Sequence, residues 1–544
     1  ETVGRAGTVL WVLLAAVGLV LLVACANVAL LSLIRGLDRS HETAVRVALG
    51  ASAGRLLREC LLESALLSTA GGTLGLVLAA GGLTWLPAFI SDLPRVSEVA
   101  FDARAIAFIA AVTVVSAVLS GVPQAWRRAR VSPMAGISAA ARTTTPGAPQ
   151  HRLRDAIVIA EVAMAVILML GSGLLVRSFL QLQATDPGFD PRGVLVAPVF
   201  LDNQQYTTGD RTRTYYRSLF ERLRAVPGVV AVGGATTVPS SPLGPDFERP
   251  VWPSGAGIDP ARRVPAAVRM ITPGYLPAMG LRLLDGRAID DRDSPQAPRV
   301  LMVSETLANR LWPGRSAVGQ QLVVDYSTAG TYPYEIVGVI GDLRFRGPRS
   351  EPLPEIYLPH AQRPYLILNV VVKTSGDPRA IIPAVRAALR ETDPQKPAQG
   401  LFPLEDLLGA TYARDRQAMI ALLLFAGAAI FLAVLSVYGA LSQRVRERSR
   451  EIGIRMAMGA GAPRVMRWVA VSGLRLIAIG IAAGTALAYA ARGAIEGLLF
   501  GVVPTDLPTL TIVLAGLGAA GLAATLVPSW RATRIDPVEI LRRE

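Results

Sequence analysis

Three histidines, two cysteines and two lysines are all that 544 residues offer of the side chains that most often carry nucleophilic, metal-binding or phosphate-binding chemistry. They do not converge. His41 and His151 lie in arginine-rich segments, and His360 is alone in the long polar stretch 178–416, which has no cysteine. That removes histidine-dependent triads and His-rich zinc sites as working readings of the stretch. Asp290, Asp291 and Asp293 cluster in "IDDRDSP" with the spacing of a solvated turn rather than a metal loop. Neither Lys373 nor Lys396 follows the glycine of a GxxxxGK[ST] loop, so the chain has no phosphate-binding loop of its own. Cys25 and Cys60 sit within or beside apolar runs and give the polar stretch no disulfide framework.

The stronger spacing signal is a repeat. Residues 39–58 and 448–467 align at a constant offset, with Arg39, Ser40, Glu42, Arg46, Ala48, Gly50, Ala51, Ala53, Arg55 and Arg58 matching Arg448, Ser449, Glu451, Arg455, Ala457, Gly459, Ala460, Ala462, Arg464 and Arg467. Glu451 and Arg455 stand four apart on one helical face, acid first, the better orientation for an ion pair. Gly459 should end the helix, and "GAGAP" should turn the chain back. A helix that merely lies on lipid tolerates many residues, whereas a docked one needs small residues at set places. The shared glycines and alanines favour docking.

These segments are placed by the apolar runs around them. Half the residues are apolar and 18% are charged, a poor fit to a soluble globular enzyme. Seven runs are candidate membrane spans, near 9–34, 61–90, 105–122, 156–176, 418–438, 469–490 and 509–528. Arginines crowd into 35–58, 123–154, 443–467 and 529–544, which the positive-inside rule makes cytoplasmic, and parity then puts residues 178–416 outside. This distribution accounts for the net charge of +14 by lipid topology, without nucleic acid as a partner.

Spans two and six carry GxxxG in the same register, Gly71 and Gly75 matching Gly480 and Gly484, which suggests a helix-packing seam in each copy. "PQAWRRARVSP" at 123–133 resembles "VPSWRATRIDP" at 527–537, with Trp126 and Trp530 suited to headgroup depth. The expected layout is a first three-helix unit over 1–137, a cytoplasmic linker over 138–154, a span over 155–177, an outer domain over 178–416 and a second three-helix unit over 417–544. Glu161 falls about one turn inside the fourth run, where a carboxylate reaches water or a neighbouring arginine.

"REIGIRMAMGA" at 450–460 closely resembles the signature of FtsX-like permeases, the membrane subunits of MacB-type ABC systems, and "HETAVRVALGA" at 41–51 resembles a diverged copy, departing at Thr43 and Ala44. The duplicated layout is similar to the two-repeat permeases of acidobacteria. The resemblance implies a polytopic α-helical membrane protein with an extracytoplasmic α/β, MacB-like periplasmic core domain and two FtsX-like repeats, in the bacterial inner membrane. It implies that Glu451, Gly453, Arg455, Ala457, Gly459 and Ala460, with Glu42, Arg46, Gly50 and Ala51, belong to coupling helices gripped by a separate ABC ATPase, in two copies. On this reading the chain is non-catalytic, binds no cofactor or metal, and leaves ATP and magnesium to the partner. Mechanotransmission would serve export of a drug, peptide or lipoprotein, with a periplasmic adaptor and outer-membrane channel as further partners. The alternative is transmembrane signalling or activation of a cell-wall hydrolase.

In the outer stretch, "VLVAPVFL", "VVAVGGAT" and "LILNVVVKT" read as strands, and residues 213–226 and 377–392 as helices, as in an open α/β sheet with a strand-rich insertion near 237–360. Each three-helix unit should follow a span and an outer domain. The first has neither ahead of it, and Glu1 is not a start residue, so the chain is expected to be the later part of a longer polypeptide.

Overall fold

A computed structural model describes residues 2–38, 52–89, 102–129, 148–241, 243–244, 246–255, 263–326, 330–395, 400–458 and 461–533. In chain order it places helices α1 (Thr2–Asp38), α2 (Ala53–Phe89), α3 (Ala103–Ala129) and α4 (Ala148–Ala184). Strand β1 (Val194–Phe200), α5 (Gly209–Arg224), β2 (Val229–Ala235), β3 (Phe247–Pro253), β4 (Val264–Ile271), α6 (Tyr275–Met279), β5 (Leu283–Gly286), β6 (Val300–Ser304) and α7 (Glu305–Leu311) follow. Next come β7 (Gln321–Asp325), β8 (Thr331–Ile340), β9 (Glu355–Pro359), β10 (Ile367–Thr374), α8 (Ile382–Thr392) and β11 (Phe402–Pro403). The chain continues with α9 (Leu404–Glu447), α10 (Ser449–Ala457), α11 (Ala462–Ala490), α12 (Arg492–Glu496) and α13 (Leu507–Thr533). It divides into two compact units, residues 1–181 with 415–544, and residues 182–414.

In the first unit, six helices among the described residues are long and apolar enough to cross a membrane: α1, α2, α4, α9, α11 and α13. The third expected span lies on α3, whose apolar stretch, Ala103–Leu119, is shorter. Helix α4 begins inside the expected linker and ends inside the expected outer domain. Its added turns are polar, and Arg154 and Asp155 there find partners on α9. Val158, Val162, Ala165 and Val166 of α4 share one core with Ala429, Ala433 and Val437 of α9, Ile477 of α11 and Leu517 of α13. Small side chains on α9 let these helices approach closely, which in lipid supplies much of the association energy.

The second unit is built on an 11-stranded sheet. Strands β4, β3, β7, β8, β6 and β9 pair in that order, and β9 pairs back with β4, closing a ring. Alternate inward residues fill it, among them Val268, Leu301, Val303, Val324, Ile336 and Ile356. This ring occupies the region read as a strand-rich insertion. Beside it β1, β10 and β2 run antiparallel. Helix α5 buries Tyr215, Tyr216, Leu219, Phe220 and Leu223 against one face, joined by Val385 and Leu389 of α8. Thr208 caps α5 by accepting from the Arg211 N–H at 3.4 Å.

Candidate functional site

Helix α10 occupies nine residues between α9 and α11. Because α4 leaves the membrane toward the outer unit and α9 returns from it, α10 sits at the cytoplasmic end of the bundle. Ile452 is buried and joins the bundle core, and Met456, one turn later, packs against it. On the opposite face Ile454 is 43% exposed and Met458 83% exposed, with Glu451 exposed on the same stripe. A helix with apolar residues on both faces has more apolar surface than its own bundle covers.

Two further contacts fix α10. Arg448, at its start, stands 4.0 Å from the Glu451 carboxylate, and its guanidinium lies 5.2 Å from the centre of the Trp468 ring on α11. Immediately before α10, Arg154 of α4 donates to Glu447 of α9, Nη2 to Oε1 at 3.1 Å, with Arg154 buried and the Glu447 carboxylate largely covered. Gln443 donates to the same oxygen at 3.3 Å. In the reciprocal sense Arg444 of α9 donates to Asp155 of α4. Two oppositely oriented pairs therefore bind the cytoplasmic ends of α4 and α9 side by side, at the root of α10.

Of the residues singled out in the sequence, Glu451 lies on the exposed stripe. Gly453, Arg455 and Ala457 fall on α10 with side chains outside the described residues, where the Glu451–Arg455 pair also belongs. Gly459, Ala460, Glu42, Arg46, Gly50 and Ala51 lie outside the described residues.

The four GxxxG glycines divide. A Cβ on Gly480 would stand 2.7 Å from Val162 Cβ, and one on Gly484 would stand 2.6 Å from the Ala163 carbonyl oxygen, so these two admit α4 to the backbone of α11. Among the described residues, Gly71 and Gly75 have nothing within 4 Å of the equivalent position. No counterpart of α4 packs on them among the described residues; instead Gly72 of α2 faces Thr113 of α3, and Gly121 of α3 faces Ser64 of α2. The two repeats meet along α1 and α9, where Asn27 donates to the Leu432 carbonyl at 3.2 Å.

Glu161 departs from its sequence reading. It has no exposed surface, and neither carboxylate oxygen meets a hydrogen-bond partner within bonding distance among the described residues. The cause is the face it occupies: Val158 and Ala165, one turn to either side of it on α4, are buried in the bundle core. The outer unit holds a second buried ionic group: Arg269 pairs with Asp246 at 2.9 Å and Glu355 at 3.4 Å, and Tyr357 donates to Glu355. Burial pushes the Glu355 carboxyl upward against the pull of Arg269. The aspartate turn is less solvated than its spacing suggests, because Asp293 is buried and takes two hydrogen bonds from Arg287, at 2.7 and 2.9 Å.

The family described as MacB-like periplasmic core domain matches residues 156–391, and that described as FtsX-like permease C-terminal matches twice, at 14–133 and 423–537. The macrolide export ATP-binding/permease protein MacB 2 of Aeromonas hydrophila is 27% identical over 281 residues, covering 49% of this chain and 41% of that protein. A macrolide export ATP-binding/permease protein MacB of Syntrophobacter fumaroxidans is 25% identical over 396 residues, covering 59% and 55%. The ABC transporter permease YknZ of Bacillus subtilis is 22% identical over 293 residues, covering 51% and 70%. The chain thus spans about two fifths of the first of these relatives. With both of its membrane units matching one family and the sheet-rich domain matching the other, the chain belongs to the FtsX-like, MacB-type ABC permeases of the inner membrane.

Proposed function

We propose that this chain receives movement from a partner ATPase on its cytoplasmic face and passes it to the extracytoplasmic domain, serving export. The observation that carries the reading is α10, with Ile452 and Met456 seated in the bundle while Ile454 and Met458 stand free for a partner. A push on that stripe reaches α4 through Arg154–Glu447 and Arg444–Asp155. Helix α4 is 37 residues long and α9 is 44, about 55 and 65 Å at 1.5 Å per residue, against a hydrocarbon core of about 30 Å. Both therefore extend well beyond the lipid as continuous rods. ATP and magnesium belong to the partner, and the duplicated unit suits two ATPase copies. The export role rests on the names of the relatives; a drug, peptide or lipoprotein is the proposed cargo class, with an adaptor and outer-membrane channel as further partners. The test is co-purification with a candidate ABC ATPase from the same organism and measurement of its activity with and without the chain. Binding without any change in ATP turnover would refute the proposal.

A further inference from the structure

Among the described residues the membrane unit encloses a cavity of about 410 Å³ whose walls are almost wholly apolar. It lies where the two repeats meet. Val12, Ala16 and Leu19 of α1 form one wall, and Leu170 and Leu174 of α4 another, with Ala488 of α11 opposite. All these residues come from the outer halves of their helices, since α4 and α11 both approach the outer side at their C-terminal ends. From Val12 to Leu19 the wall runs about 10 Å along the helix at 1.5 Å per residue, against about 15 Å for one leaflet of the hydrocarbon core.

Apart from Thr485 on the α11 wall, the polar lining gathers at the outer rim, at Arg492, Thr505, Asp506 and Thr509. Asp506 is already committed: its carboxylate accepts from Arg177 and from the backbone and hydroxyl of Thr509. Arg492 has no carboxylate partner among the described residues; its guanidinium lies 4.3 Å from the centre of the Tyr489 ring, a contact that leaves its hydrogen-bond donors available. The rim therefore presents one uncommitted cation above a mainly apolar cavity about two thirds as deep as a leaflet. Tyrosine and arginine together at this depth mark the headgroup level of the bilayer.

We infer that this cavity binds an anionic phospholipid of the outer leaflet, one acyl chain inside and the phosphate on Arg492. A membrane lipid is the occupant because its two chemistries match the two parts of the site in the order in which they lie. Binding requires no ATPase, so it is separable from the coupling reading above.

The test uses the whole chain in phosphatidylcholine nanodiscs with a trace of phosphatidylglycerol carrying a photoreactive group at the end of one acyl chain. Cross-links should concentrate on Ala16, Leu170 and Leu174 rather than on the lipid-facing Leu66, Leu74 and Leu78. Unlabelled phosphatidylglycerol should compete, and soluble glycerophosphate should not. R492Q should reduce cavity labelling about fivefold, the factor for one cation near an anionic lipid surface, while R492K retains it. L170W, which narrows the cavity at the α4 wall, should reduce cavity labelling and leave Leu74 labelled, the latter serving as the check on insertion. Equal labelling of cavity and lipid-facing residues would overturn the inference. So would competition by glycerophosphate, or R492Q labelling as strongly as the parent chain.

Discussion

Arg154 and Glu447 meet at 3.1 Å although 293 residues separate them, with Arg154 buried and the Glu447 carboxylate largely covered where α4 runs past the root of α10. Removing one member of a buried pair strands the other charge and costs about 3–5 kcal/mol, more than the pair itself contributes. E447Q should therefore destabilise the bundle and also weaken ATPase stimulation. The exchanged double variant, Arg154→Glu with Glu447→Arg, should recover a large share of both losses. Thermal unfolding in detergent and ATP turnover of the complex read the two effects. If E447Q leaves both unchanged, the clamp carries neither stability nor movement.

Helix α10 permits a sharper division. Met458→Asp and Ile454→Asp alter exposed residues and should leave melting within about 0.5 kcal/mol of the parent, as ordinary surface changes do, while reducing binding of the ATPase. Ile452→Asp buries a charge in the bundle core and should lower the melting temperature before any partner is added. Gly459→Val and Arg455→Glu are expected to behave like the exposed class, with the protein inserted and ATPase stimulation weakened. Full stimulation by Met458→Asp, Ile454→Asp and Gly459→Val together would remove this helix from the coupling path.

What was legible in the sequence was local or repeated. Apolar runs of spanning length, the strands at β1, β2 and β10 and the doubled arginine-rich segment all announce themselves within a few tens of residues. The clamp did not, because Arg154 and Glu447 are ordinary charges until two helices far apart in sequence lie side by side. Glu161 is hidden for a related reason: which face of α4 turns inward is set by its neighbours, just as polar turns that α9 neutralises look like linker when read alone. The ring of β4, β3, β7, β8, β6 and β9 depends on pairings that skip along the chain, such as β4 with β9, which periodicity does not encode.

The two GxxxG motifs, alike in sequence, should respond differently to substitution. Gly484→Leu drives its side chain into the Ala163 backbone, at 2.6 Å from the carbonyl and 2.8 Å from Cα, and backbone cannot step aside as a flexible side chain can. Overpacking of this kind costs about 1–3 kcal/mol, and Gly480→Leu against Val162 should cost a similar amount. Gly71→Leu and Gly75→Leu meet no neighbour among the described residues and should leave the stability of this chain unchanged. Parallel thermal melts of the four variants decide it, and equal losses at both motifs would mean that a helix also occupies the face of Gly71 and Gly75.

His360 gives the outer unit a pH dependence whose sign follows from its surroundings. It is buried with its ring edge-on to Tyr216, and the Tyr365 N–H donates to Nε2 at 3.1 Å. Burial is the main cause that lowers its pKa from 6.5 to about 4, opposed by the Tyr365 carbonyl oxygen, which stands 3.1 Å from Nε2 and would accept from a protonated ring. Between those values the unfolded chain binds a proton that the folded domain refuses. Its contribution is thus fully present above pH 6.5 and is lost as pH falls toward 4, at most about 3 kcal/mol over the window. His360→Gln removes the titrating group, so its thermal stability should fall less steeply than the parent's between those two pH values. The measurement is the unfolding of the outer unit followed by hydrogen exchange of β10 and α5 amides in the whole chain, corrected for intrinsic exchange. Parallel pH profiles for the two proteins would show that the imidazole is as readily protonated inside the domain as outside it.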